Sequence, residues 1–161
     1  MPRKSPDPIK ASTRRAKAQR RVGDGAACAC GETRPEALVV GAKATTCAAC
    51  KRRRLKTTTT DSHHVAGQHN SPVTIEVPVN DHRAILSPAQ YEWPCETLQN
   101  ADGSPLLSAA GALRGMADYI TFLAEKFFDL IAVMLEQLDR WLVGEKGPRW
   151  WVNTPIECCT L

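Results

Sequence analysis

The chain has 161 residues, 24% of them charged and 6% aromatic, with a formal net charge of +4. That length fits one domain, or a small domain with an appendage. No run of about 18 apolar residues occurs, which excludes a hydrophobic membrane-spanning helix, and the polar, basic first 21 residues lack the apolar core of a secretion signal, so a cytoplasmic chain is expected.

Charge is unevenly spread. Residues 1–60 carry 15 Lys and Arg against 4 Asp and Glu, whereas residues 61–161 carry 6 against 13. A basic front half suits a polyanion partner, although a basic run taken alone is more often a solvated tail. The seven cysteines are an odd number, and in a cytosolic chain metal ligation is a better default than disulfides.

Residues 1–24 read as a disordered basic arm. Arg3, Lys4, Lys10, Arg14, Arg15, Lys17, Arg20 and Arg21 stand against Asp7, and apolar residues are too few to offset the entropy of ordering. Such an arm adds phosphate contacts without reading base sequence.

The segment 25–60 holds two cysteine pairs. Glu36 to Val40 reads as a short strand or turn between them, and Leu55 to Thr60 as a strand, because β-branched residues suit a pleated surface. Residues 73–79 place Val73, Ile75, Val77 and Val79 on one face of a half-buried strand, with Pro78 confining it to a strand end or edge. Asn80 suits a helix N-cap, which puts His82 in a first helical turn. Ser87, Pro88 and Gln90 fit a second helix start with a capping box, and Trp93-Pro94 closes it.

Residues 98–105 read as a linker. From 106 to 144 the pattern is helical. Met116, Ile120, Leu123, Phe127, Leu130 and Met134 recur at steps of four and three, beside a second stripe of Phe128, Ile131, Leu135, Leu138 and Leu142. So wide an apolar face either packs on a core or self-associates, through a second copy or a protein partner. Gly111 or Gly115 is a place where it breaks into two helices. Residues 145–161 form a C-terminal tail containing Trp150, Trp151, Cys158 and Cys159.

Cys28-x-Cys30 and Cys47-x-x-Cys50 are separated by 16 residues. A tetrahedral structural zinc site needs four soft ligands delivered by two short turns, and these pairs supply them. Four reduced, buried cysteines are the plainer alternative. No Phe, Trp or Tyr occurs in residues 1–90, and a small module without aromatic core residues commonly needs such a staple. Cys95, Cys158 and Cys159 have no matching spacing.

All four histidines fall at 63, 64, 69 and 82. A histidine pair taken alone is more often a surface pair, but a strand ending at His63-His64, a glycine-containing loop, a second strand and a helix carrying His82 make a β-β-α unit that could bring His63 and His82 onto one cation. His64, the next residue on the strand, points the other way.

With these residues, 25–94 resembles an HNH endonuclease, the ββα-metal fold, preceded by zinc-binding cysteines. The run His-His-Val-Ala-Gly-Gln-His-Asn, then Val-Pro-Val-Asn-Asp-His-Arg, then Trp-Pro, is similar to a group of bacterial and phage HNH-like proteins. The resemblance implies a small zinc-stabilised ββα-metal core and nothing about residues 98–161; with the helical pattern that follows, the expected fold is α+β, that core over 25–97 and then a long amphipathic C-terminal helix or helical hairpin. It implies that His64 is the general base, that His63 and His82 ligate the catalytic divalent metal (Mg²⁺, Mn²⁺, Ni²⁺ or Zn²⁺), and that structural Zn²⁺ sits on Cys28, Cys30, Cys47 and Cys50. Lys51, Arg52, Arg53, Arg54 and Arg83 are the candidate phosphate contacts on DNA. Two features depart from the family. The interior Asn that braces the loop has no clean match, leaving Asn70 or a Thr for that part. Asn80-Asp81 stand where a cysteine pair usually precedes the last His. Asp61 and His69 are either extra ligands or, as preferred, polar loop residues. The expected activity is metal-dependent hydrolysis of DNA; the alternative is an inactive HNH-like zinc protein that binds nucleic acid or acts as an adaptor through its C-terminal helix.

Overall fold

A computed structural model describes residues 8–42, 44–154 and 157. The chain divides into two compact units, Met1–Phe122 and Leu123–Leu161. The fold is α+β, with one two-stranded antiparallel sheet and a long C-terminal helix. Among the described residues, no helix is long and apolar enough to cross a membrane.

The first unit opens on α1, Pro8–Val22. Here the sequence reading of a disordered arm and the structure differ. Ala and long-chain cations favour the helix, and Gly23, at φ +92°, ends it by donating its N–H to Gln19 O at 2.9 Å. Arg14 ties the helix down, pairing with Glu92 and lying 5.9 Å from the centre of the Tyr91 ring. Arg3, Lys4 and Asp7 lie outside the described residues, as do Cys158 and Cys159.

Between the cysteine pairs the chain makes a 3₁₀ turn at Pro35–Ala37 rather than a strand, because Pro35 fixes a helical φ. One antiparallel bridge then joins Leu38 to Cys47. Helix α2, Ala48–Arg54, begins on Cys47, whose sulfur accepts from Cys50 N–H at 3.4 Å. A small core gathers Cys28, Leu38 and Cys47 with Val22 and Ala26.

Strands β1, Thr60–His64, and β2, Thr74–Pro78, pair so that His63 faces Ile75 and His64 faces Thr74. Strand β1 therefore starts later than the threonine run suggests. After β2 the chain turns through α3, Val79–Asp81, a wider π turn at His82–Leu86, and α4, Ser87–Gln90. Asn80 does not cap its own helix. Its Oδ1 accepts from Ala49 N–H at 3.0 Å and so caps α2, while its Nδ2 donates to Glu32 at 3.1 Å. Ser87 likewise continues a helix already running instead of starting one. Val77, Leu86 and Phe122 form the second core, flanked by Ile75, Ile85 and Tyr119.

Helix α5, Cys95–Gln99, follows. The stretch expected as a linker is pinned. Asn100, at φ +37° and 5% exposed, donates to Asn70 Oδ1 (2.9 Å), Ser104 O and Ser108 Oγ. Helix α6, Pro105–Lys146, runs unbroken through Gly111 and Gly115. These glycines mark a close approach: a Cβ on Gly115 would lie 1.5 Å from Val65 O, and one on Gly111 would lie 2.6 Å from Ala66 O. The α6 backbone thus rests on the loop that follows β1.

In the second unit, Leu123, Phe127, Leu130, Met134 and Leu138 are all exposed. Trp150 packs back onto the helix, donating its indole N–H to Asp139 at 2.8 Å.

Candidate metal centre and histidine site

The four sulfurs of Cys28, Cys30, Cys47 and Cys50 all lie within 4.8 Å of one another, positioned to hold a metal ion. Among the described residues they are the one group of three or more such ligands that converges so closely. Cys30 and Cys47 are 3.6 Å apart. Four thiolates about 2.3 Å from a tetrahedral cation would be separated by roughly 3.8 Å, so this edge has the right length.

The thiols also behave as a crowded set. Backbone N–H groups at Cys30 and Cys47 point at the Cys28 sulfur and pull its pKa down to about 6. Burial works against ionising Cys47, yet the Asn80 amide and the Cys50 N–H hold it below its ordinary value. Neighbouring Cys30 and Cys47 push Cys50 up to about 12. Close sulfurs that cannot all carry charge together share protons, and a divalent cation takes the place of those protons.

A salt-bridged clamp connects this centre to the β-β-α unit. Arg34 holds Glu32 at 2.6 Å and Asp81 at 2.7 Å. The Arg34 hydrogen bond drives the Glu32 carboxyl down to about 2. Asn80 touches both Glu32 and α2, so the residues just before His82 are fixed to the cysteine module.

The histidines separate as strand alternation requires. Asp61 and His63 share one face of β1, whereas His64 lies on the other with Ser62. His63 is 3% exposed. Its ring meets that of His82 edge to face, with centres 5.2 Å apart. Burial, then the neighbouring His82 and His64, lower the His63 pKa to about 4. His63 is therefore a neutral imidazole at neutral pH.

His82 Nδ1 lies 3.0 Å from Asp61 Oδ2. A carboxylate only accepts, so Nδ1 carries the proton and Nε2 is left with its lone pair when the ring is neutral. Asp61 Oδ1 takes Arg52 at 2.6 Å. Burial opposes ionising Asp61, but its bonds to His82 and Arg52 hold it below the ordinary carboxylate range. His64 Nδ1 lies 3.1 Å from the carbonyl oxygen of Ser71, which by the same logic fixes the proton on Nδ1.

The loop between β1 and β2 is braced by Asn70. Its amide donates to Ala66 O at 2.9 Å and Thr97 O at 2.7 Å, while its oxygen accepts from Asn100. Lys51, Arg53, Arg54 and Arg83 are exposed, and His69 is exposed on the loop. Arg52 is not a free phosphate contact: besides Asp61 it holds Thr60 O at 2.8 Å.

Two residues go beyond the sequence reading. Asp61, by sequence a polar loop residue, orients His82; its position two before His63 on a strand is the available signal. Gln90, taken as half of a capping box, instead donates to His64 O at 2.6 Å and lies 3.4 Å from His63 Nε2. Nothing local to Gln90 reveals this, because the contact closes across the β-β-α unit.

No protein-family model, curated protein or solved structure matches the chain.

Proposed function

We propose that the chain is a metal-dependent endonuclease of the HNH type that hydrolyses DNA phosphodiester bonds with His64 as general base. The observation that carries this reading is the pairing of roles across one β-β-α unit. His64 has its Nδ1 proton committed to Ser71 O, while on the opposite strand face the His63 and His82 rings meet.

With its proton on Nδ1, neutral His64 presents Nε2 to take a proton from water, the general-base role that histidine most often fills. The water oxygen then bonds to phosphorus as the bond to the 3′ oxygen breaks, and that oxygen takes a proton from solvent to leave as the 3′-hydroxyl. The family resemblance implies a 5′-phosphate and a 3′-hydroxyl as products. His63 and His82 are the residues that would hold the catalytic ion. His82 keeps Nε2 available while Asp61 orients the ring, as a carboxylate commonly does behind a ligating histidine, and His63 is neutral, with the Gln90 amide on its Nε2 to be displaced if the ion takes that nitrogen. A divalent ion bound there supplies stabilisation of the charge that develops on the phosphate. Gln90 anchors the end of β1, and Asn70 holds the loop from which Ser71 positions His64. The cysteine cluster is read as a structural Zn²⁺ site that fixes α2 and, through Asn80, the start of the His82 helix.

A non-hydrolytic reading draws on one observation. Both Asp61 oxygens are engaged, by Arg52 and His82, which leaves two imidazoles as ligands. On that reading the unit binds nucleic acid without cutting it. Product analysis tests the proposal: purified protein with Mg²⁺, Mn²⁺ or Ni²⁺ should leave nicks that DNA ligase reseals directly, because ligase needs a 5′-phosphate beside a 3′-hydroxyl. Absence of nicks with every metal, from folded and zinc-loaded protein, would favour the binding role.

A further inference from the structure

The first unit contains a cleft of about 1120 Å³ between α1 and the helical run that carries His82. That volume exceeds the roughly 300–1,000 Å³ of a small-molecule pocket. Six cations line it, namely Arg14, Arg15, Lys17 and Arg21 from α1, with Arg34 and Arg83, against two acids, Glu36 and Asp61. Asp61 is already ion-paired with Arg52 and accepts a hydrogen bond from His82. Arg14 and Arg34 are held in ion pairs of their own. Arg15, Lys17, Arg21 and Arg83 remain as exposed cations turned to the cleft.

One aromatic side chain lines the same cleft. Tyr91 is 62% exposed although the Arg14 guanidinium lies 5.9 Å from its ring centre. An exposed tyrosine beside cations that have no ion-pair partner among the described residues combines a stacking platform with a phosphate track, which is how unpaired nucleic acid is held; a duplex keeps its bases stacked inside and offers no face to such a ring. Arg14 fixes both walls, because the same side chain pairs with Glu92 next to Tyr91. The helical arm is thereby held as one wall of the cleft.

We infer that this cleft takes a single-stranded segment of DNA, with phosphates on Arg15, Lys17, Arg21 and Arg83 and a base on Tyr91, so that the strand runs past His82. The inference rests on the nuclease reading for the choice of DNA; the cleft itself requires only an unpaired polynucleotide.

The test is fluorescence anisotropy on the full-length His64→Ala chain, which removes the proposed base, with a labelled single strand, a duplex of equal length and an abasic strand. The single strand should bind at least about 10-fold tighter than the duplex, and Tyr91→Ala should cost it roughly 5- to 150-fold, the effect of losing one stacked base. The abasic strand should be unaffected by Tyr91→Ala, and Tyr91→Phe should restore binding, which separates stacking from damage to the fold. Arg15→Ala with Arg21→Ala should flatten the salt dependence by roughly 1.4 in log–log slope, about 0.7 per phosphate on a single strand. Equal affinity for duplex and single strand, or an unchanged single-strand affinity in Tyr91→Ala, would overturn the inference. The two proposals fail separately. Nicking by the wild-type chain without single-strand preference removes the cleft assignment alone, whereas tight single-strand binding with no nicking removes the nuclease alone.

Discussion

Asp61 Oδ2 accepts from His82 Nδ1 at 3.0 Å, and the two residues come from different elements, the first strand and the π turn. This bond sets which nitrogen of His82 is available to a metal. Replacing Asp61 with Asn removes the charge and leaves an amide that does not fix the tautomer. Affinity for Mn²⁺ or Ni²⁺ should fall roughly 10- to 100-fold, the usual effect of losing a carboxylate behind a metal-bound histidine. Isothermal titration on zinc-loaded protein measures it; unchanged affinity would mean that His82 is not oriented by this bond or is not a ligand.

Two glycines of α6 should respond oppositely to alanine. At Gly115 the new methyl meets the Val65 carbonyl, a backbone atom that cannot swing aside. Gly115→Ala should lose at least about 1–3 kcal/mol in urea unfolding. At Gly144 nothing lies within 4 Å, so Gly144→Ala should stabilise the helix by roughly 0.5–1 kcal/mol. A silent Gly115→Ala would show that α6 does not rest on the loop after β1.

The cysteine centre should bind one Zn²⁺ per chain, read by native mass spectrometry. Cys47→Ser removes a buried ligand that also starts α2. This variant should lose the zinc and unfold at a lower temperature, and a strong chelator should do the same to the wild type, because the free energy of metal binding contributes directly to folding. Full stability after zinc removal would mean that the four thiols are packing residues.

Acid should weaken the fold partly through His63. Its pKa falls from 6.5 to about 4 on folding. Between those values the unfolded chain holds a proton that the folded chain does not, so stability rises with pH. The contribution is whole above pH 6.5 and is lost as pH falls toward 4. Urea midpoints at pH 7, 6 and 5, without added catalytic metal, should drop more for the wild type than for His63→Gln. Parallel curves would place His63 in contact with water.

How much of this was legible in the sequence depends on the range of the interaction. The two cysteine pairs, the inward Ile75 and Val77 of β2 and the placing of His63 and His64 on opposite faces follow from local spacing, whereas Val73, expected on the same half-buried face, is exposed outside the strand, and Val79 is buried as the start of α3. The helix at α1 was not legible, because what anchors Arg14 is Glu92 and Tyr91, far along the chain. Asn80 suits a cap for its own helix by position and caps α2 instead, since Ala49 comes within reach only when the cysteine module docks. Gly111 and Gly115 look like breaks in a helical pattern; their purpose shows only with Ala66 and Val65 beside them.

The proposed hydrolysis depends on His64 removing a proton from water. Plasmid nicking by zinc-loaded wild type should require an added divalent metal, and His64→Ala, with an unchanged circular dichroism spectrum, should nick roughly 10²- to 10⁴-fold more slowly, the usual contribution of a general base. Equal rates in wild type and His64→Ala, or no nicking with Mg²⁺, Mn²⁺ or Ni²⁺, would contradict it.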